Sequence, residues 1–230
     1  MKLLLTSLGL TNNSISNALA DLIGKSPSDS KIAFIPTGAN ATRGDKNWLI
    51  DHMYQIKQYG YHVDIIEIIA MEPAEIEAAL NDVDAIIFGG GNCFYLSYWM
   101  QKKGMFDFLP KLLETKIYVG ISVGSMVAAD SFRLSSQALE REETISDQDY
   151  NNLGPVGESS AKTLELVDFV FKPHFNSAEN PEVRNEEYIR NVAHRVNKPI
   201  YAVDDQSALK IIDNKLEVIS EGKWLLINNN

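Results

Sequence analysis

The chain has 230 residues, 45% of them hydrophobic, enough to build a full core in one large domain or two small ones. Its formal net charge of −10 disfavours nucleic acid and anionic membrane surfaces as partners, because neither is attracted to it. A single cysteine, Cys93, excludes an internal disulfide and fits a reducing compartment, so a cytoplasmic location is expected.

In chain order, Leu3-Leu4-Leu5 is interrupted by Thr6 and Ser7 and runs into Thr11-Asn12-Asn13-Ser14, too polar for the apolar segment of a signal peptide. A buried strand over residues 2–8, then a helix capped by Asn13 or Ser14 and ending near Gly24, accounts for this stretch. Residues 25–30 read as a loop and 31–36 as a second strand, which opens into the small polar loop 37–44. A helix over 45–59 carries Trp48, Leu49, Met53 and Ile56 on one side and stops at Gly60. A third strand over 62–69, a third helix over 73–80 and a fourth strand over 84–88 follow. That strand ends in Gly89-Gly90-Gly91-Asn92, and a helix runs over 93–102. Residues 116–121 form a fifth strand that breaks at Gly120-Ile121-Ser122-Val123-Gly124 and restarts as a helix-like run to Ala129. The polar region 135–160 is the longest irregular stretch and a candidate rim or lid. A strand over 164–171, a helix over 181–196 broken at Lys198-Pro199, and short strands over 200–227 with a hairpin turn at Asp213-Asn214-Lys215 complete the chain.

Strand and helix alternate over the first 130 residues, which predicts an α/β fold: a doubly wound, mostly parallel sheet flanked by helices. Such sheets carry their sites at the carboxyl ends of the strands. The loop after strand two, Gly89–Asn92 after strand four and Ser122 after strand five all fall there, so the fold should gather them on one rim. No internal repeat, low-complexity segment or linker appears, so residues 1–230 are expected to form a single domain. No apolar run approaches the length of a membrane span.

The G-x-S-x-G pattern sits between a strand and a helix, the context in which it acts as a nucleophile elbow. A serine on that tight turn points its hydroxyl out of the sheet. The flanking glycines let backbone pass close by, and the N–H of Val123, at the start of the helix, can stabilise an oxyanion. A serine nucleophile needs a base, and there are four histidines. His52 and His194 fall within predicted helices, at solvated or edge positions. His62 begins a strand, the wrong end of the sheet. His174, in Pro173-His174-Phe175, follows a strand and is the expected base. For the carboxylate that orients it, Asp204-Asp205 follows the strand over 200–203; Asp130 and Glu140 are weaker candidates. The glycine loop at 89–91 offers backbone donors for a second oxyanion contact. It carries neither phosphate-loop nor dinucleotide fingerprint, so no nucleotide cofactor is expected. No histidine, cysteine and carboxylate grouping has zinc spacing, so no metal is expected either. Cys93, at a helix start, is a rival nucleophile, but a lone cysteine there reads better as packing.

Taken together, Gly89-Gly90-Gly91-Asn92 after a strand, Gly120-Ile121-Ser122-Val123-Gly124, Pro173-His174-Phe175 and Asp204-Asp205-Gln206-Ser207-Ala208-Leu209 resemble the peptidase E group of serine peptidases, the S51 family, which includes aspartyl dipeptidase and cyanophycinase. The resemblance spans residues 31–210. It implies a class I glutamine amidotransferase-like fold with serine in place of cysteine at the elbow. It also implies Ser122 as nucleophile, His174 as base, Asp205 as the acid behind it, and Gly90, Gly91 and Val123 around the oxyanion. Some members carry the acid just after the nucleophile helix. Residues 132–139 here contain no carboxylate, which moves the expectation to Asp205. The substrate implied is a short peptide, with a dipeptide bearing an N-terminal aspartate as the characteristic one; apart from the resemblance, a monomer and a homodimer are both open. Aspartate recognition needs a cation, for which Arg43, Arg133 and Arg141 are available, and Asn92 is a polar contact beside the glycine loop. A glutaminase is the competing enzyme reading, disfavoured by the serine and by Phe-Asn after His174. A non-catalytic binding protein on the same scaffold is the competing reading from another class.

Overall fold

The computed structural model describes residues 1–42, 44–135 and 162–227. A seven-stranded sheet in the order β3-β2-β4-β5-β1-β8-β9 forms its centre. Its parallel part contains β1 (Lys2–Thr6), β2 (Lys31–Ile35), β3 (His62–Ile65), β4 (Ala85–Phe88) and β5 (Ile117–Ile121). The antiparallel strands β8 (Ser207–Ile212) and β9 (Lys215–Ser220) close one edge. A second, three-stranded sheet pairs β6 (Val170–Lys172) in parallel with β7 (Ile200–Val203), and β7 with antiparallel β10 (Trp224–Ile227).

The inner strands β1, β2, β4 and β5 are short, apolar and buried on both faces, as parallel strands covered by helices must be, whereas edge strand β3 is largely exposed. Alternate residues supply the two faces. Leu3, Leu5, Ile86 and Phe88 face one cluster. It also holds Leu96 and Met100 of α4 (Cys93–Lys102) and Met105, Leu109 and Leu112 of α5 (Met105–Leu112). Leu4, Ile32, Phe34, Ile87 and Val119 face the other cluster. Ile15, Leu19 and Leu22 of α1 (Asn13–Ile23) and Ile56 of α2 (Asn47–Gln58) cover that side. Ile76 and Leu80 of α3 (Pro73–Asn81) join the first cluster. The small sheet packs Val170, Ile200 and Ala202 against Ile189 and Val192 of α8 (Glu186–Val192), which follows the short α7 (Pro181–Arg184).

Several elements differ from the sequence reading. Helix α1 is capped by Asn12, whose side chain accepts the Ile15 N–H, rather than by Asn13 or Ser14. Residues 164–169 do not join a strand. The N–H groups of Leu164 and Leu166 bond instead to the carbonyls of Val127 and Ala128, in α6 (Val123–Ala128). The expected helix over 181–196 is divided at Asn185, whose side chain accepts the Tyr188 N–H and so starts α8 afresh. Helix α5 was not foreseen; Met105, Leu109 and Leu112 give it a buried face at helical spacing, with Pro110 inside it. The hairpin turn is as expected, with Asp213 and Asn214 both at positive φ, as the tightest two-residue turns require. Among the described residues, no helix is long and apolar enough to cross a membrane. Of the expected rim or lid over 135–160, all but Ser135 lies outside the described residues.

Candidate active site

Ser122 connects β5 to α6 with φ 50° and ψ −104°, a left-handed backbone that a non-glycine residue holds only under restraint from its surroundings. The restraint is visible. The Ser122 N–H donates to the Thr6 carbonyl at 2.9 Å, and the Ser125 hydroxyl donates to the same carbonyl at 2.8 Å. The Thr6 hydroxyl donates to the Gly120 carbonyl. On the other side, buried Tyr118 stacks on Phe88 and donates its hydroxyl to the Gly124 carbonyl at 2.6 Å. A Cβ on Gly120 would lie 2.4 Å from Ser125 N, and one on Gly124 would lie 2.0 Å from the Phe88 carbonyl oxygen. Both glycines are therefore required by the close return of α6 onto β4 and β5.

His174 follows β6 and has φ 61°. Its Nε2 lies 3.0 Å from Ser122 Oγ, and its Nδ1 lies 2.7 Å from Asp205 Oδ1. Two strand pairings produce this convergence. Parallel β6 and β7 end side by side, so the residues following them, His174 and Asp205, emerge together. Antiparallel β8 begins where β1 ends, with Ala208 opposite Thr6, which brings Asp205 beside Ser7. The Ser7 hydroxyl donates to Asp205 Oδ1 at 2.6 Å and accepts the backbone N–H of His174 at 2.8 Å. Burial pushes the Asp205 carboxyl upward. The hydrogen bond and charge of His174, the Ser7 hydroxyl and the Arg184 guanidinium outweigh that effect and hold it below the ordinary carboxylate value.

The sequence left the carboxylate open between neighbours, and their surroundings differ. Asp204 accepts from the Ser207 hydroxyl and from the backbone N–H groups of Gln206 and Lys223, so it organises the turn between β7 and β8. Asp130 does not line the cavity. Glu140, Arg43 and Arg141 lie outside the described residues.

A cavity of about 450 Å³ opens over Ser122, of the size that holds a small ligand. Gly90, Gly91 and Val123 line it together with Ser122, His174 and Asp205. Two expected contacts are corrected. Asn92 caps α4, its side chain accepting the Tyr95 N–H, and it is not in the lining. Arg133 is also outside the lining; its guanidinium donates to the Arg195 carbonyl because the chain at Phe132 and Leu134 turns those apolar side chains inward and Arg133 out. Among the described residues, the cations that do reach the cavity are Lys172, which donates to the Leu134 carbonyl, and Arg184, which donates to Ser177 Oγ at 3.1 Å. His52 corrects the expectation of a solvated position: it is 2% exposed and lines the cavity. Cys93 is buried in the core, away from the lining, in keeping with a packing role. Ser7, Arg184 and His52 carry no motif of their own. The one available signal was Ser7 at the carboxyl end of the first strand.

A serine at a strained strand-to-helix elbow, a histidine on its hydroxyl and a carboxylate behind the histidine make the arrangement of a serine-type hydrolase on a doubly wound sheet. The profile of peptidase family S51 matches residues 3–219, and the chain belongs to that family of serine-type peptidases. Its sequence is 27% identical over 206 residues to Peptidase E of Streptomyces coelicolor, covering 86% of this chain and 74% of that protein. It is 25% identical over 148 residues to Peptidase E of Shewanella putrefaciens, covering 62% of this chain and only 56% of that relative. A crystal structure assigned to peptidase E from Listeria monocytogenes EGD-e superposes with a TM-score of 0.76 at 19% identity, covering 96% of this chain and 98% of the other. A peptidase from an acI-B1 actinobacterium superposes at 0.61 and 16% identity, covering 98% and 93%. These likenesses bear out the expected family and the glutamine amidotransferase-like fold.

Proposed function

We propose that the protein hydrolyses short peptides through an acyl-enzyme on Ser122. The observation that carries this reading is the continuous chain of contacts from Ser122 Oγ to His174 Nε2 and from His174 Nδ1 to Asp205. His174 removes the hydroxyl proton as Ser122 Oγ adds to the scissile carbonyl, and the resulting oxyanion faces the N–H groups of Val123 and the Gly90–Gly91 loop. The C–N bond then breaks, with the proton on His174 passing to the departing amine. A water attacks the ester by the same route, regenerating the Ser122 hydroxyl and releasing the acid. Asp205 keeps the Nδ1 proton in place and stabilises the imidazolium. Ser7 acts as a positioning residue for both.

The substrate class is a dipeptide or similarly short peptide, for which the small cavity is suited. Arg184, which reaches Glu179 at 3.5 Å and whose charge helps to lower the Asp205 pKa, supplies positive charge for an N-terminal aspartate. The single cysteine, Cys93, fits a peptidase of a reducing compartment such as the cytoplasm. Hydrolysis of an Asp-X and Ala-X dipeptide panel by the wild type and Ser122→Ala tests the reading. Turnover by the wild type alone, favouring Asp-X, is expected. Equal rates for the two proteins would refute Ser122 as nucleophile.

A further inference from the structure

Outside the proposed triad, the cavity wall formed by α2 holds an unexplained group. His52 is 2% exposed, and neither of its ring nitrogens has a hydrogen-bond partner. Burial, with a smaller contribution from the nearby His174 charge that outweighs the opposing pull of Asp205, lowers its pKa to about 4. At neutral pH it therefore presents one N–H and one lone pair, both unused. Burying such a group without partners is unfavourable, so its presence calls for a function. Its position points to one. The place a Cβ would occupy on Gly90 lies 3.7 Å from His52 Cε1, 3.5 Å from Trp48 and 3.8 Å from Ser122 Cβ. His52 Cε1, the carbon between the two nitrogens, is thus turned toward the space beside the nucleophile, and a half-turn of the imidazole about its Cβ–Cγ bond brings Nε2 to that place. Trp48 stands edge-on to His52, with ring centroids 5.6 Å apart, and lines the same cavity as a half-buried apolar surface.

This wall and the Arg184 wall come from different helices. Helix α2 packs through Ile56 on one face of the large sheet. Arg184 ends α7, beyond β6. We infer that Trp48 and His52, beside Ser122 and on a different helix from Arg184, form a second peptide subsite, which takes an apolar or aromatic residue against the indole and hydrogen-bonds its main chain through the imidazole. A peptide unit offers an acceptor and a donor together, the complement of a neutral imidazole. This subsite rests on the peptidase reading given above and extends it to the residue paired with the acidic one.

The test uses binding as well as turnover. In a Ser122→Ala background, calorimetry measures Asp-Phe and Asp-Ala. Asp-Phe is expected to bind about 10-fold tighter, the order of magnitude expected for burying an aromatic side chain in part. Trp48→Ala should erase that ratio. His52→Leu should weaken both peptides about 10-fold, the loss of one hydrogen bond, while His52→Gln, which keeps a donor and an acceptor, should weaken them less. The melting temperature of His52→Leu should equal or exceed that of the parent, because no structural bond is lost. Unchanged peptide ratios in Trp48→Ala, unchanged affinity in His52→Leu, or no peptide binding at all would overturn the subsite. So would a fall in melting temperature without a fall in affinity, which marks a structural histidine. Binding with the expected pattern but no turnover by the wild type would leave the subsite standing and refute the peptidase chemistry. Turnover with no dependence on Trp48 or His52 would do the reverse.

Discussion

Ser7→Ala tests how far the proposed site depends on a residue that touches no substrate. The substitution removes a hydroxyl that donates to the Asp205 carboxylate at 2.6 Å and accepts the His174 backbone N–H at 2.8 Å. The first is a charge-assisted bond of about 1.5–3 kcal/mol, and the second leaves a part-buried N–H unpaired at about 1–3 kcal/mol. Allowing for relaxation, a net destabilisation of about 2–4 kcal/mol is expected, which lowers Tm by roughly 5–10 °C in a chain of this size. If about half of the lost charged bond, about 0.75–1.5 kcal/mol, is felt in the transition state, where the His174–Asp205 pair carries most charge, kcat falls about 3- to 13-fold. Ser7 does not line the cavity, so KM should stay within about twofold of the wild type. Steady-state hydrolysis of an aspartyl dipeptide, labelling of Ser122 by a fluorophosphonate and a thermal melt give the three readouts. A KM effect with unchanged kcat, or wild-type values for kcat and labelling rate, would refute the positioning role.

Asp205→Asn should reduce kcat by about 10³- to 10⁴-fold with little change in KM, because the amide favours the wrong imidazole tautomer; steady-state kinetics decide this. The same carboxyl is held below its ordinary value in the folded chain, so its stabilisation is present above the unfolded pKa and is lost as pH falls through the folded one. Asp205→Asn should accordingly flatten the acid limb of a stability–pH curve. His52 has the opposite kind of shift, from 6.5 to about 4. The unfolded chain takes up its proton first, so this group destabilises the fold progressively as pH falls from 6.5 toward 4, by about 2–3 kcal/mol at pH 4.5. Urea unfolding at pH 7 and pH 4.5 should show His52→Leu losing that much less stability than the wild type between the two. The two cavity glycines should separate: Gly91 has φ 127° and its Cβ would lie 2.2 Å from the Gly38 carbonyl, whereas a Cβ on Gly90 meets nothing closer than 3.5 Å. Gly91→Ala should lower Tm sharply or prevent folding. Gly90→Ala should melt like the wild type, yet lose kcat/KM because its methyl group occupies the space beside Ser122.

The sequence by itself determined the parallel α/β architecture, because apolar runs alternated with amphipathic ones at the right lengths for strands and helices. It also marked Ser122, since a strained elbow needs glycines at fixed offsets and those offsets are local. His174 was legible for a weaker reason, its place after a strand. The choice of Asp205 over Asp204 came from family likeness, and only the tertiary structure separates their surroundings: one carboxylate is taken up by the turn between β7 and β8, and the other faces His174. Likewise, nothing local announced that β6 and β7 form a sheet of their own, or that β8 returns antiparallel to β1. The β1–β8 pairing joins distant parts of the chain, Thr6 with Ala208, and together with the β6–β7 pairing it brings Ser7 to His174 and Asp205, 167 and 198 positions away in sequence. His52 was misread for a related reason. A histidine on an amphipathic helix is ordinarily at the solvated edge, and whether that edge faces water or a cavity is decided by what the glycine loop and Ser122 build against it.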